Sequence, residues 1–419
     1  MRMLTGALFA SAFFSGANLL SQSAIHKPQE TASFEQVVDR VKPLHAVIVL
    51  SAPDKKAMVA VSPDLQGRVL TSTSDGPAGR SFGWVNLPFI EERKMKEHFN
   101  PFGGEDRIWL GPEGGQYSIF FRPGAPFDMA HWYTPPAIDT EPFDVVNHSS
   151  SSVSFRKTFE VTNYSGSRFP VKIDRTVQLL STEDVWAALK TPSEHGVRVV
   201  GFESQNKLTN VGSQPWTKET GLLSIWILGQ YEASPDSTIV IPIRQGAETE
   251  LGTKVTSNYF GTVPPDRLAV HDGVIYFRAD AKYRAKVGIN PLRAKGVIGS
   301  YDAKNHVLTI VQYTTHAGNL NYVNSLWEIQ KKPFAGDVSN AYNDGPTAEG
   351  QPGLGHFYEL ESSSPAASLA PNESLQHVQR TIHLEGDETH LDRIARAVLG
   401  VSLVEIESGF STSSADGME

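Results

Sequence analysis

Apolar residues in this chain recur mostly at every second position. Val153, Phe155, Phe159 and Val161 alternate with Ser154, Arg156, Thr158 and Glu160, and Val171, Ile173, Val177 and Leu179 repeat the pattern. Near the C-terminus Val378, Arg380, Ile382 and Leu384 alternate with His377, Gln379, Thr381 and His383. A period of two sends successive side chains to opposite faces of a strand, so these segments predict half-buried β-strands. The continuous apolar runs over residues 46–50, 237–241 and 307–312 predict more deeply buried ones. Turn-forming stretches separate them, at residues 74–76, 163–166 and 343–345. Between residues 45 and 385 no segment of helical period is long enough for a crossover. Strands without crossovers must pair mainly antiparallel, which predicts a sandwich or a barrel.

Helical periodicity is confined to the two ends. Ser33 and Gln36 form a capping box ahead of Phe34, Val37, Val38 and Val41, and Pro43 stops that helix. Leu391, Ile394, Ala395, Val398 and Leu399 make an apolar stripe, with Asp387 and Glu388 at its positive end and Gly400 as its stop. Before all of this, Arg2 precedes an apolar run from Leu4 to Phe14, then small residues up to Ser23 and Ala24, the pattern of a secretory signal. The expected organisation is a signal over residues 1–24, a helical segment over 25–44, one β-domain over 45–386, a helix over 387–400 and a tail over 401–419. The expected location is periplasmic or extracellular, with no membrane anchor once the signal is cleaved.

Composition narrows the function classes. Of 419 residues 40% are hydrophobic and 20% charged, the balance of a globular protein. A net charge of −9 argues against nucleic acid, whose phosphates need a basic surface. There is no cysteine, which removes disulfides, thiolate nucleophiles and zinc–thiolate sites. No metalloprotease helix motif, nucleophile elbow or phosphate-binding loop is present, and the acidic residues lack EF-hand spacing, so neither cofactor nor metal is expected.

Polar residues crowd in two places. The run GGEDRIWLGPEGG over residues 103–115 brings Asp106, Arg107, Trp109 and Glu113 together among glycines. Glycines permit close backbone approach to a ligand, Trp offers a flat apolar face to a sugar ring, and Arg and carboxylates match its hydroxyls. The same composition also suits an ion-paired loop with a core tryptophan. In the second, residues 357–361 read as a strand with Phe357, Glu359 and Glu361 on one face and Tyr358 and Leu360 on the other. Paired carboxylates beside an aromatic suit the floor of a site, or a solvated outer face.

The run YELES over residues 358–362, then LAPNES over 369–374 and a last strand through His377 to His383, resembles the end of galactose mutarotase-like proteins. There a glutamate-bearing strand is followed by a Leu-x-Pro-Gly-Glu turn and a final strand. The segment from Gly104 to Glu113 is similar to one found in uncharacterised members of that superfamily, as are residues 216–226, 322–328 and 337–345. The resemblance spans about residues 45–385. It implies an all-β fold: a β-supersandwich of large antiparallel twisted sheets with short terminal helices, ligand lying on the concave face of one sheet. It further implies a glutamate base, here Glu359 or Glu361, and a sugar-holding arginine, here Arg107. The sugar mutarotase motif, an Asn-His followed by an aromatic-Asn-Leu, is not in the chain, since Asn147-His148 runs on into Ser149 to Ser152, and this leaves His131 and His316 as candidate acids. By the same resemblance Asn324, Trp327, Asn343 and Asp344 fall near the site, although residues 343–345 also read as an ordinary tight turn.

The function expected first is binding of a mono- or oligosaccharide. The alternative is an aldose 1-epimerase-like isomerase pairing a Glu base with a His acid. A polysaccharide lyase or glycosidase accessory domain comes third, disfavoured because Tyr358 faces away from the glutamates.

Overall fold

Three antiparallel sheets carry the chain, seen in a computed structural model that describes residues 32–316, 318–346 and 351–411. The largest has ten strands, in the order Leu268–His271, Val274–Arg278, Ser237–Pro242, Val297–Asp302, Val307–Tyr313, Ser374–Glu385, Arg198–Asn210, Arg168–Leu179, Ser152–Thr162 and Asp144–His148. The second has five strands, in the order Ala285–Ile289, Ser339–Asn343, Phe357–Ser363, Ser224–Glu232 and Arg107–Gly111. A small sheet of Ile48–Ser51, Met58–Ser62 and Arg68–Thr73 completes the set. The helices are few and short, so the class is all-β with large antiparallel sheets.

One face of the five-stranded sheet supplies Ile108, Leu110, Ile225, Ile227, Val287, Ala341 and Leu360 to the apolar core. Across from them the ten-stranded sheet contributes Val171, Ile173, Phe202, Leu208, Ile241, Phe277 and Val311 to the same clusters. The alternation at 153–161 and 171–179 points its apolar side into this core as expected, with Val153, Phe155, Val171 and Ile173 all fully buried.

The last strand departs from expectation. Its polar residues His377, Gln379, Thr381 and His383 are the ones that face the five-stranded sheet, and they are buried. Ile382 and Leu384 pack instead under helices Thr182–Leu189 and Glu388–Val398 on the outer face. Helices covering that face claim the apolar side, so the polar side must be satisfied from within. His377 Nε2 is hydrogen-bonded to Ser362 Oγ at 2.8 Å, and His383 Nε2 meets Glu105 Oε2 at 2.8 Å.

At the ends, Phe34–Val41 carries the expected capping box. Glu388–Val398 follows its Asp387 cap, and a further short helix, Leu403–Glu407, lies within the stretch expected as a tail. Ser402 and Glu405 cap it reciprocally, and Leu403 and Ile406 are buried, so its first turn is held by both polar and apolar contacts. The expected signal over residues 1–24 and the end of the tail lie outside the described residues.

Candidate functional site

The other face of the five-stranded sheet is polar. On strand Phe357–Ser363 it presents Glu359 and Glu361; on Ser224–Glu232, Trp226 and Gln230; on Arg107–Gly111, Arg107 and Trp109. Strand Ser339–Asn343 adds Asn340 and Tyr342, and Ala285–Ile289 adds Lys286. Register makes these one array. Glu359 lies opposite Gln230 on one side and Tyr342 on the other, Glu361 lies between Leu228 and Asn340, and Tyr342 is paired with Lys286. Residues directly opposite across antiparallel strands share a face, so a polar patch five strands wide follows from the period of two.

Two ion pairs organise the patch. Arg107 Nη2 donates to Glu359 Oε1 at 3.0 Å, and Gln230 Nε2 donates to the same oxygen at 2.8 Å. Lys286 Nζ donates to Glu361 Oε2 at 2.9 Å, joined there by Trp226 Nε1 at 2.8 Å. The Lys286 ammonium also lies 4.8 Å from the Trp226 ring, and the Arg107 guanidinium 4.3 Å from that of Trp109. Burial works to lower the Lys286 pKa, but Glu361, Glu113 and Glu359 outweigh it and the net shift is upward. Burial pushes Glu359 up to about 8, with Arg107 opposing and the Glu361 charge adding to the rise. Glu113 is raised to about 6, again by burial first, with Lys286 opposing and Glu361 reinforcing.

Several polar atoms on this face are buried without a hydrogen-bond partner: Arg107 Nε and Nη1, Trp109 Nε1, Ser224 Oγ, Gln230 Oε1 and Glu361 Oε1. Donors and acceptors are interleaved among them. Beside them lies a narrow cleft with free room of only about 20 Å³, lined by Trp226, Lys286, Asn340, Ser363, Tyr259 and Asp337 among others. Burial raises the Asp337 carboxyl to about 6, although hydroxyls of Tyr259 and Thr256 and the Lys286 charge pull it down.

The structure brings Arg107, Trp109, Glu359 and Glu361 onto one face, with Glu113 electrostatically coupled to them and Trp327 beside Glu113. Other expected site residues lie elsewhere. Asp106 faces the opposite way from Arg107, into the core, where Arg175 Nη2 donates to it at 2.6 Å and Ser204 Oγ at 2.8 Å. Neighbours on a strand cannot share a face, and this pair is fully buried. Asn343 also points inward and holds the backbone at Ala281 and Tyr283. Asp344 accepts from Tyr342 Oη and Gly355 N, closing a turn. Asn324 Oδ1 accepts from Leu326 N, a local turn bond. His131 is half-exposed and paired with Asp128 in its own turn. His316 stands 6.3 Å from His377, whose partner Ser362 is on the inner face, so neither candidate acid joins the glutamates.

Sequence reasoning did not single out Lys286, Trp226, Gln230, Asn340, Tyr259 or Asp337 as site residues. A usable signal existed for Lys286, a lone cation in the apolar run from Ala285 to Ile289. Gln230 and Trp226 stand at the right parity on a strand of otherwise apolar residues. Tyr259 comes from an irregular segment and had no local signal.

Among solved structures, the chain is similar to a putative aldose 1-epimerase from Escherichia coli K12, with 13% identity, 82% of this chain and 99% of that chain covered, and a TM-score of 0.47. A galactose mutarotase-like protein from Lactobacillus casei gives 11%, 81%, 100% and 0.44 for the same quantities. A putative mutarotase from Salmonella typhimurium gives 12%, 81%, 90% and 0.44. These are proteins of the kind that the sequence motifs resemble, and similarity at this level says nothing about activity. No curated protein matches the chain. A family model does match, over residues 32–410: the chain belongs to a family of unknown function, DUF6786.

Proposed function

We propose that this chain binds carbohydrate on the polar face of its five-stranded sheet. The observation that carries this reading is the set of buried, unpartnered donors and acceptors clustered there, from Arg107, Trp109, Ser224, Gln230 and Glu361. A buried polar atom left unmatched costs on the order of 1–3 kcal/mol, so such a cluster is retained where a partner repays it. A sugar hydroxyl both donates and accepts, and a ring with several of them suits interleaved donors and acceptors. Trp226, which lines the cleft, adds a flat apolar surface of the kind that sugar rings favour. The signal expected over residues 1–24 makes the proposed location periplasmic or extracellular.

Binding is favoured over catalysis by the place of the candidate acids. Glu361 is tied through one oxygen to both Lys286 and Trp226 and keeps the other unmatched, and Glu359 is tied to Arg107 and Gln230. A general base also needs an acid across the ring, and neither His131 nor His316 is on that face. Isomerisation of the aldose 1-epimerase kind stays as the alternative on one observation, the Glu113 carboxyl held near 6 beside Glu361. Tyr358 shares a hydrogen bond with Ser300 on the inner side, which keeps that tyrosine away from the polar face.

A thermal-shift screen of common hexoses, pentoses and short oligosaccharides tests the proposal. A sugar at a hundred times its Kd stabilises by about 2.7 kcal/mol, enough for a shift of several degrees. Glu361→Gln and Arg107→Met should weaken the hit at least tenfold. A flat response across the whole panel would remove the proposal. Polarimetry on freshly dissolved α-sugars separates the alternative, since a binder leaves the mutarotation rate at its spontaneous value.

A further inference from the structure

Residues 253–263 cross the polar face as an irregular segment between the short helix Glu248–Leu251 and strand Leu268–His271. Val255 and Val263 pack against the apolar core, Phe260 meets the Tyr342 ring edge-on beneath Arg284, and the backbone is held at few points. Thr256 and Gly288 exchange two backbone hydrogen bonds of 2.9 and 2.8 Å, Asn290 Nδ2 donates to Thr253 O, and Tyr283 Oη donates to Thr262 O. Most of its residues are exposed, Phe260 to 42%.

Two of its polar side chains turn inward, and both end on one carboxylate. Tyr259 Oη donates to Asp337 Oδ2 at 2.6 Å, and Thr256 Oγ1 donates to Asp337 Oδ1 at 3.3 Å. Asn340 Nδ2 completes the group by donating to Tyr259 Oη at 3.1 Å. Asp337 reaches this position only because residue 288 is glycine: a Cβ there would stand 2.0 Å from Asp337 Oδ2. The chain thus makes room for a carboxylate in the wall of the cleft, next to Trp226 and Lys286, and then fills both of its oxygens with hydroxyls of its own. One hydroxyl on each carboxylate oxygen is also how a carboxylate holds two adjacent hydroxyls of a sugar.

We propose that Asp337 is a sugar-binding carboxylate and that Tyr259 and Thr256 occupy it in the ligand's place, making residues 253–263 a strap displaced by the vicinal diol of a saccharide. The ligand side of this inference rests on the carbohydrate reading above. The strap competes with the ligand, so apparent affinity is reduced by the fraction of molecules in which it is closed. Displacing it exchanges two hydroxyl–carboxylate bonds for two others, and the gain comes from the unpartnered atoms that the incoming ring then meets. The ligand is a sugar with two adjacent free hydroxyls. A linkage at either of them abolishes binding at Asp337.

Hydrogen exchange read by mass spectrometry, on the full chain at pH 7.5, tests the strap without any ligand. Tyr259→Phe keeps the ring and removes one hydroxyl, and it should speed exchange of the Thr256 and Gly288 amides by about tenfold or more. That is the factor expected for a hydrogen bond to a charged group worth about 1.5 kcal/mol. Peptides from the ten-stranded sheet should not change, which shows that the variant is folded. Wild-type exchange at the strap in Tyr259→Phe overturns the inference.

The ligand arm uses D-glucose, D-galactose and D-xylose as probes, followed by tryptophan fluorescence. Any probe bound by the wild type should bind Tyr259→Phe several-fold more tightly and Asp337→Asn at least tenfold more weakly. Equal affinities across the three forms overturn the inference and leave the carbohydrate reading standing. If no saccharide binds any form, the carbohydrate reading falls and takes the ligand role of Asp337 with it.

Discussion

Lys286→Met should be the most damaging single change on the polar face. The Lys286 and Glu361 side chains are 9% and 0% exposed, and their contact is 2.9 Å. Removing the lysine leaves the Glu361 carboxylate with Trp226 Nε1 as its remaining donor, in a place water does not reach. Stranding one member of a buried ion pair costs about 3–5 kcal/mol, against a total stability of about 5–15 kcal/mol for a typical domain. Glu361→Gln is milder. Lys286 keeps the charge of Glu113 within reach, and the amide oxygen still accepts from Trp226, so about 1–2 kcal/mol is expected. The double variant Lys286→Met/Glu361→Gln has no stranded charge. It should be less destabilised than the sum of the single changes, by a coupling of about 2 kcal/mol. Urea unfolding followed by tryptophan fluorescence measures all three, and the Lys286→Met midpoint should fall by on the order of 1 M. Additivity within about 0.5 kcal/mol, or a Lys286→Met cost below about 1 kcal/mol, would show that the pair does not act as a buried electrostatic unit.

Two other changes probe the two sides of the same sheet. Asp106→Asn leaves Arg175 without its carboxylate in the core and should cost about 3–5 kcal/mol in thermal or urea unfolding, while the sugar response of the folded protein is kept. A stability within about 1 kcal/mol of wild type contradicts the buried-pair account. Glu359→Gln tests pH dependence. With the carboxyl raised to about 8 when folded, against an ordinary 4.5, its contribution is full below about 4.5 and is lost as pH rises through 8. Wild-type stability should therefore fall between those values by up to about 1.4 kcal/mol per pH unit, and the Gln variant should be flatter. Parallel melting-temperature profiles from pH 5 to 9 would refute that assignment.

How much of this was legible depended on where the physics was local. Parity along a strand is local, and it put Glu359 and Glu361 on one face before any fold was known. The same rule, applied to residues 106 and 107, would have separated Asp106 from Arg107. The glycines on both sides made that stretch read as a loop, where parity has no force, although residues 107–111 form a strand. Histidines 377 and 383 were read on the polar side of a half-buried strand. They are buried because helices Thr182–Leu189 and Glu388–Val398 cover the other side, a fact about packing far away in the chain. Lys286 is a lone cation among apolar residues in the sequence. It is enclosed because a segment some thirty residues earlier folds back over it, and nothing near Lys286 announces that.

The five-stranded sheet therefore separates two polar systems that differ in one respect. On the inner side Asp106 is matched by Arg175 and Ser204, Glu105 by Ser72 and His383, and Ser362 by His377 and Gln379. Those carboxylates face donors already in place, and the network serves to hold two sheets together at a polar seam. On the outer side Arg107, Gln230 and Glu361 each keep at least one buried atom unmatched while making strong bonds through another. Unmatched buried atoms are not confined to the outer side, since His377 Nδ1, Gln379 Nε2 and Thr381 Oγ1 at the inner seam also lack partners. What differs is cover. The inner side is closed by another sheet, whereas the outer side is bordered by irregular segments that include the strap at 253–263. Unmatched polar atoms beneath a cover that can lift are the arrangement expected where the missing partners come from outside the chain.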